Sequence, residues 1–283
     1  MTPSSPSPTP DLHQAWHHAA AFLNLTAPVT VAWHHGVGGR TLSGPAATAE
    51  GAPVWLRVMS APQPGGKVWE GPALADALLG GAVPRPRLLA EHTWGTGPVF
   101  QALLWERLPG TAVSQTPDLA GPVENDTRWW HDLRRALAAL RATPVPEGRQ
   151  VFSQAFVHRI PRYIPEIADA EVDLNVRTWT AAHGDLHWAN LTRDPLMLLD
   201  WEGWGLAPLG YDAAVLHAYA LPEPETAAEV RSPFADLLES DEGRLAHLII
   251  CAEIVQAAER DPLHARLAPH ARSFALRLLA TPR

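Results

Sequence analysis

The sequence of 283 residues contains a single cysteine, Cys251. One thiol cannot form an intramolecular disulfide, and it excludes a zinc site built on cysteine pairs. Because Cys251 lies within the apolar stretch "LAHLIICAEIV", we expect a buried structural thiol rather than a reactive one.

Concentrated positive charge and long apolar runs are also lacking. The 22 basic residues are scattered, 30 acidic residues give a net charge of −8, and we therefore expect no nucleic-acid partner. No segment approaches the roughly 20 apolar residues of a membrane-spanning helix. The start "MTPSSPSPTP" does not read as a secretory signal. We predict a cytoplasmic protein without membrane contact, with a disordered Pro/Ser-rich tail over residues 1–10.

Apolar residues are plentiful, at 46% of the chain, which is enough to build a sizeable core. Residues 11–106 read as a helix, three strands, a second helix and two more strands, the first strand being "VTVAWHH". Residues 107–283 are mostly helical in pattern, with a last helix that Pro269 must bend or break. The sequence thus predicts an α+β protein with a small antiparallel β-rich lobe and a larger helical lobe.

The stretch "HGDLHWAN" at residues 183–190 carries the chemistry of the chain. On a strand, His183, Asp185 and His187 would share one face and could bind a metal, as in a metal hydrolase. On a loop, the same residues could be a catalytic base with its supports.

Two polar residues beyond this triplet favour the loop. Asn190 follows Asp185 by five positions, and Asp200 ends the apolar stretch "LMLLD" ten positions later. Phosphoryl transfer uses such a set: one Asp accepts the proton of the attacking hydroxyl, while an Asn and a second Asp hold Mg²⁺. Protein kinases have His-Arg-Asp-x4-Asn followed by Asp-Phe-Gly; this chain has His-Gly-Asp-x4-Asn followed by Asp-Trp-Glu.

With "LLDWEGWG" and "GYDAAVLHAY" downstream, the chain resembles the aminoglycoside phosphotransferase/choline kinase-like family, small-molecule relatives of the protein kinases. The resemblance implies a bilobal protein kinase-like fold that uses ATP and Mg²⁺ to phosphorylate a small-molecule hydroxyl. By position, Asp185 would be the catalytic base, Asn190 and Asp200 the Mg²⁺ ligands, and His183 a structural residue. Asp212 would brace the catalytic loop through backbone hydrogen bonds, and an N-cap of the next helix is a second interpretation that is compatible with the first.

The resemblance places nucleotide contacts in the N-lobe, residues 11–106. Kinases have a Lys on the third strand paired with a helix Glu; here that strand offers Arg57, and Glu70 is its natural partner. Arg is not equivalent to Lys, and Lys67 is a rival phosphate contact.

Two further nucleotide contacts follow from the same resemblance. The glycine turn with Gly36 and Gly38 would cover the phosphates with backbone N–H groups. The connector "LLWERLPG" would meet the adenine edge through backbone groups of Glu106 and Leu108. A plain hairpin turn and an ordinary connector between the lobes would have the same sequence patterns.

Two functions of different classes remain open at this point. The first is a small-molecule kinase whose substrate site lies in the C-lobe, residues 107–283; its acceptor could be an aminoglycoside, choline or ethanolamine, a sugar or homoserine. The second is a nucleotide-binding regulator with little transfer activity, which Arg57 and the loose glycine turn favour. The presence of all three of Asp185, Asn190 and Asp200 favours the kinase.

Overall fold

The computed structural model describes residues 11–36 and 39–281. Its described residues form two compact units, one with the residues up to 76 and 86–109, the other with 77–85 and 110 onward. The predicted lobe boundary was placed between residues 106 and 107, and the short segment 77–85 was not expected in the larger unit. The predicted tail over residues 1–10 lies outside the described residues.

The first unit is built on one antiparallel sheet with strand order β1-β2-β3-β5-β4. Its elements are α1 (Leu12–Phe22), β1 (His34–His35), β2 (Thr41–Ala47), β3 (Pro53–Ala61), α2 (Lys67–Leu78), β4 (Leu88–Trp94) and β5 (Val99–Glu106). The last two residues of α2 belong to the second unit. The predicted order of a helix, three strands, a helix and two strands is confirmed.

The first strand is shorter than predicted, because only His34 and His35 of "VTVAWHH" join the sheet. The far end of β2 is already paired elsewhere: Thr26 and Ala47 exchange two backbone hydrogen bonds of 2.9 Å. Val29 is fully exposed, so no buried contact stabilises it in a ladder position. β-branched composition alone does not make a strand without a free edge to pair with.

Helix α1 packs on the sheet through its apolar face. Asp11 caps the helix, its Oδ1 accepting from the Gln14 N–H at 3.0 Å, as Asp prefers at such a position. Trp16 is fully buried and donates its indole N–H to the Leu56 carbonyl of β3 at 3.0 Å. That bond satisfies the only polar atom that the Trp16 side chain takes into the core.

The second unit is mainly helical. Its elements are α3 (Thr127–Arg141), α4 (Gln154–Val157), α5 (Glu166–Asp169), β6 (Trp179–Ala182), β7 (Gly205–Pro208), α6 (Tyr211–Ala218), α7 (Pro224–Leu238), α8 (Asp241–Ala257) and α9 (Pro262–Ala280). Strands β6 and β7 pair antiparallel, and β7 was not predicted. Short 3-10 turns lie at Ile160–Arg162 and Trp188–Asn190.

Helix α9 runs through Pro269 without a break, so of the predicted bend or break the break does not occur. Leu267, Ala271 and Ala275 on its inner face are buried, and α9 packs along α8. This packing compensates for the hydrogen bond that proline removes from the helix.

Cys251 lies in α8 and is fully buried, as predicted. Burial raises the pKa of its thiol to about 12, so the reactive thiolate is absent at neutral pH. Among the described residues, no helix combines the length and the apolar character that crossing a bilayer requires.

Two buried histidines pack against each other in the second unit. His217 of α6 and His247 of α8 lie 3.1 Å apart between Nδ1 and Nε2, and each is at most 3% exposed. Phe274 of α9 packs on both rings. Burial, and secondly the charge of Arg231, lowers the pKa of His217 to about 4. Burial, followed by the charge of His217, also lowers the pKa of His247 well below its ordinary value.

We expect stability to decrease as pH falls from about 6.5 to 4. In that window the unfolded chain takes up protons on these histidines and the folded chain does not, so acid favours unfolding. His217 alone should contribute a loss of about 3 kcal/mol. Urea unfolding at pH 7, 5.5 and 4.5 measures the slope. His217→Gln should flatten it, and exposed His131→Gln should leave it unchanged; equal slopes in wild type and His217→Gln would contradict this.

Candidate active site

The stretch 183–190 is a loop, not a strand. Strand β6 ends at Ala182, and His183 and Gly184 follow it directly. The His183 ring is buried, with Nε2 2.7 Å from the Leu199 carbonyl. Within the described part of the chain, no three His, Cys, Asp or Glu side chains form a group that could hold a metal. The metal-face interpretation of His183, Asp185 and His187 is therefore wrong.

Asp212 holds the start of this loop through its backbone. Its two carboxylate oxygens accept from the N–H groups of His183 at 2.9 Å and Gly184 at 3.0 Å. Gly210 occupies the N-cap position of α6, so the bracing role is confirmed and the capping role is wrong. Burial raises the pKa of Asp212, although the charge of His183 and the two N–H donors oppose that change.

Gly184 adopts a left-handed conformation, with φ at +85°. A Cβ at this position would lie 2.7 Å from Cγ2 of Val151 and 3.2 Å from the carbonyl oxygen of Gly203. The turn after β6 therefore needs glycine for both its φ angle and its close packing.

We expect Gly184→Ala to lower the free energy of unfolding by about 2–4 kcal/mol, from left-handed strain and overpacking together. Chemical denaturation of the purified variant measures this loss. Gly203→Ala is the matched control, because a Cβ there meets no atom within 4 Å. Similar losses in the two variants would show that local packing at Gly184 is not the cause.

Asp185 projects from the loop with its side chain 55% exposed. Its Oδ2 lies 3.5 Å from Nε2 of His187, and its backbone N–H donates to Nδ1 of His183 at 3.3 Å. Partial burial opposes ionisation, but the His187 contact and the charges of His187, His183 and His264 outweigh it, so the pKa of Asp185 lies below its ordinary value. The loop thus presents an ionised carboxylate to solvent at neutral pH.

Asn190 and Asp200 lie at the two ends of a hairpin. The Leu199 N–H donates to the Asn190 carbonyl at 2.9 Å, and Leu191 pairs with Leu198, so the chain forms a hairpin around Asp194 and Pro195. Asp200 has a left-handed φ of +61°.

The amide of Asn190 is oriented by the loop itself. Its Nδ2 donates to the Asp185 carbonyl at 2.8 Å and lies 3.4 Å from Nε2 of His187. Oδ1 is then the remaining polar atom of the side chain. The second unit thus gathers Asp185, Asn190 and Asp200 in one loop–hairpin segment.

The residues assigned to nucleotide phosphates lie in the first unit. Arg57 is half-buried in β3, opposite Ser43 of β2 and Leu103 of β5. Lys67 begins α2, and Oε1 of Glu70 accepts from the Gly66 N–H at 3.1 Å.

The turn and connector assignments are partly described. Gly36 closes the turn between β1 and β2, donating its N–H to the Thr41 carbonyl at 3.1 Å; Gly38 lies outside the described residues. Glu106 is engaged by Arg87, through an ion pair of 3.4 Å and a backbone hydrogen bond of 3.1 Å. Leu108 follows β5 and forms no hydrogen bond with another described residue.

Sequence reasoning missed two side chains near Asp185. The ring of Tyr219 lies 5.7 Å from the ring of His187, and its hydroxyl lies 2.9 Å from Nε2 of His264. The recognisable signal was Asp261–Pro262, which starts α9 and places His264 in its first turn. Nothing in the pattern showed that this turn meets the end of α6.

Comparisons with known proteins bear on the family and the fold of the chain. A family model described as the phosphotransferase enzyme family matches residues 70–248, well over half of the chain. A search of curated protein sequences found no match.

Solved structures with the same fold include three phosphotransferases. An aminoglycoside phosphotransferase in ternary complex with ADP and hygromycin B has a TM-score of 0.66 at 12% identity, covering 94% of this chain and 98% of its own. A spectinomycin phosphotransferase in complex with ADP and spectinomycin has a TM-score of 0.59 at 12% identity, covering 97% of this chain and 94% of its own. A macrolide 2'-phosphotransferase from Brachybacterium faecium has a TM-score of 0.57 at 18% identity, covering 96% of this chain and 99% of its own. At these identities the likeness establishes the kinase-like fold.

Proposed function

We propose that this chain, which belongs to the phosphotransferase enzyme family, transfers the γ-phosphoryl group of ATP to a hydroxyl of a small molecule. The products would be ADP and a phosphate monoester. The observation that supports this most directly is the braced loop that presents the half-exposed, ionised Asp185 beside Asn190, with Asp200 directly after Leu199, whose N–H donates to the Asn190 carbonyl. A cytoplasmic location is part of the proposal.

Asp185 is the proposed base. Its carboxylate would accept the proton of the acceptor hydroxyl as the oxygen attacks the γ-phosphorus, and the bond to the ADP oxygen breaks. A pKa below the ordinary value keeps Asp185 ionised, so it can orient the hydroxyl at neutral pH. Its exposure leaves room for an acceptor to approach.

Asn190 and Asp200 fit a Mg²⁺ site in the chemistry of their donor atoms. Mg²⁺ takes hard oxygen ligands, few of them from protein, with water and phosphate completing the octahedron. The Asn190 amide nitrogen is committed to the Asp185 carbonyl, which leaves its oxygen to serve as a ligand, and Asp200 supplies a carboxylate. A bound Mg²⁺ would neutralise charge on the phosphates.

The N-lobe residues are proposed to bind the nucleotide. Arg57 would contact the phosphates in preference to Lys67, and Glu70 would orient that cation. The backbone of Leu108 is the favoured adenine contact, since the Glu106 N–H is already engaged with Arg87. Gly36 and Gly38 would supply backbone N–H groups at the phosphate turn.

A substrate panel tests the proposal. Purified protein with Mg²⁺-ATP would be offered aminoglycosides, spectinomycin, a macrolide, choline, ethanolamine, homoserine and simple sugars. Acceptor-dependent ADP release, with a phosphorylated product in the mass spectrum, is the expected result. ATP binding without turnover on any acceptor would favour the regulator, for which the comparisons give no support. Activity that needs zinc and ignores ATP would contradict both.

A further inference from the structure

A chain of three hydrogen-bonded side chains runs from the start of α9 to the end of α6. Asp261 caps α9, with Oδ1 accepting from the Leu263 N–H at 3.1 Å. Its other oxygen, Oδ2, contacts Nδ1 of His264. Nε2 of His264 lies 2.9 Å from the hydroxyl of Tyr219. The chain is anchored at one end in a helix cap, which fixes its geometry.

The direction of each hydrogen bond follows from the chemistry of the groups. The ionised carboxylate of Asp261 can only accept, so Nδ1 of His264 carries a proton. In the neutral ring Nε2 is then an acceptor, and the Tyr219 hydroxyl donates to it. Tyr219 is only 6% exposed, so water does not compete for this hydroxyl.

The Tyr219 ring also lies next to the ring of His187 in the catalytic loop. The two ring centroids are 5.7 Å apart with the planes at 55°, and the His187 side chain is only 12% exposed. Nδ1 of His187 is buried without a hydrogen-bond partner among the described residues. The other ring nitrogen, Nε2, lies 3.5 Å from Oδ2 of Asp185 and 3.4 Å from Nδ2 of Asn190.

We propose that Asp261, His264 and Tyr219 are positioning residues, which hold the His187 ring in the orientation that directs its Nε2 toward Asp185. They act through His187 and are not themselves catalytic residues. The inference rests on the proposed function, in which Asp185 is the base. It gives a role to three side chains at the ends of α6 and α9, none of which was assigned one from the sequence, although Tyr219 ends the stretch "GYDAAVLHAY".

Activity variants test the effect on the base. Tyr219→Phe keeps the ring and removes only the hydroxyl, and it should lower kcat about three- to tenfold, because a misdirected base loses orientation. KM for the acceptor and for ATP should stay within about twofold. His264→Leu should match it, whereas His264→Gln should recover part of the rate, since its amide oxygen can accept from Tyr219. An unchanged kcat in Tyr219→Phe, or a raised KM alone, would overturn the proposal.

A spectroscopic test does not need an acceptor. Long-range ¹H–¹⁵N spectra of the histidine side chains, with His187 assigned from a His187→Asn variant, should show its signals moved by Tyr219→Phe and by His264→Leu. Tyr211→Phe is the matched control, because it removes another buried hydroxyl on α6, bonded to Glu253, and should leave the His187 signals in place. Unmoved signals in Tyr219→Phe would overturn the inference. If the wild-type protein phosphorylates nothing on the panel, the proposed function has failed. The spectra still test whether Tyr219 and His264 hold the His187 ring in place.

Discussion

Asn in place of Asp185 is expected to lower kcat about a thousandfold. The amide keeps nearly the same shape but is not basic, so it can neither take the acceptor proton nor attract the hydroxyl electrostatically. The carboxylate is 55% exposed, and its loop is held by Asp212 through backbone bonds. The substitution should therefore leave the fold intact. Steady-state kinetics on the best acceptor of the panel, with ATP affinity measured by calorimetry, checks the result.

The control for this substitution is Asp194→Asn. Asp194 is an exposed carboxylate at the turn of the same hairpin, so the variant removes the same charge from the same segment without touching the base. It should keep kcat within about twofold. ATP affinity should be similar in both variants and in wild type. A kcat in Asp185→Asn close to that of wild type would exclude Asp185 as the base.

Much of the fold follows from local sequence signals. Alternating apolar residues and turns predicted the five strands of the first unit, and the helical period predicted α1 and α2, because these signals act over neighbouring residues. The length of β1 could not be predicted, since it depends on Thr26 pairing with the distant Ala47. The continuity of α9 through Pro269 also depends on packing against α8, which the sequence pattern does not contain.

The residues of the candidate site were likewise predicted only in part. Asp185, Asn190 and Asp200 were recognised because one loop and one hairpin hold them at fixed sequence spacing. Tyr219 and His264 were missed because only the meeting of α6 with α9 brings them to His187. The two histidines of "HGDLHWAN" were first grouped as metal ligands by a strand periodicity that the loop does not have. Short-range motifs thus identified the residues with proposed catalytic and metal-binding roles, whereas the side chains that surround them are brought there by tertiary packing.

The role of Asp212 in the loop predicts a combined effect on stability and rate. Asp212→Ala leaves the buried N–H group of His183 and the partly buried N–H group of Gly184 without their acceptor. At about 1–3 kcal/mol for each orphaned donor, the free energy of unfolding should fall by about 2–6 kcal/mol. The loop that carries Asp185 would also lose its anchor, and kcat should fall about a hundredfold, as misplacement by an ångström can cost. Urea unfolding and kinetics at a temperature where the variant is folded measure both effects.

Thr226→Val separates these two effects. Thr226 is fully buried and its hydroxyl oxygen accepts from the Val123 N–H at 3.0 Å, so the substitution orphans a backbone donor away from the loop. It should cost about 1–3 kcal/mol of stability while leaving kcat of the folded protein unchanged. If Asp212→Ala behaved in the same way, losing stability but not rate, the backbone bonds to His183 and Gly184 would be structural only. A loss of rate confined to Asp212→Ala ties the orientation of Asp185 to this buried carboxylate.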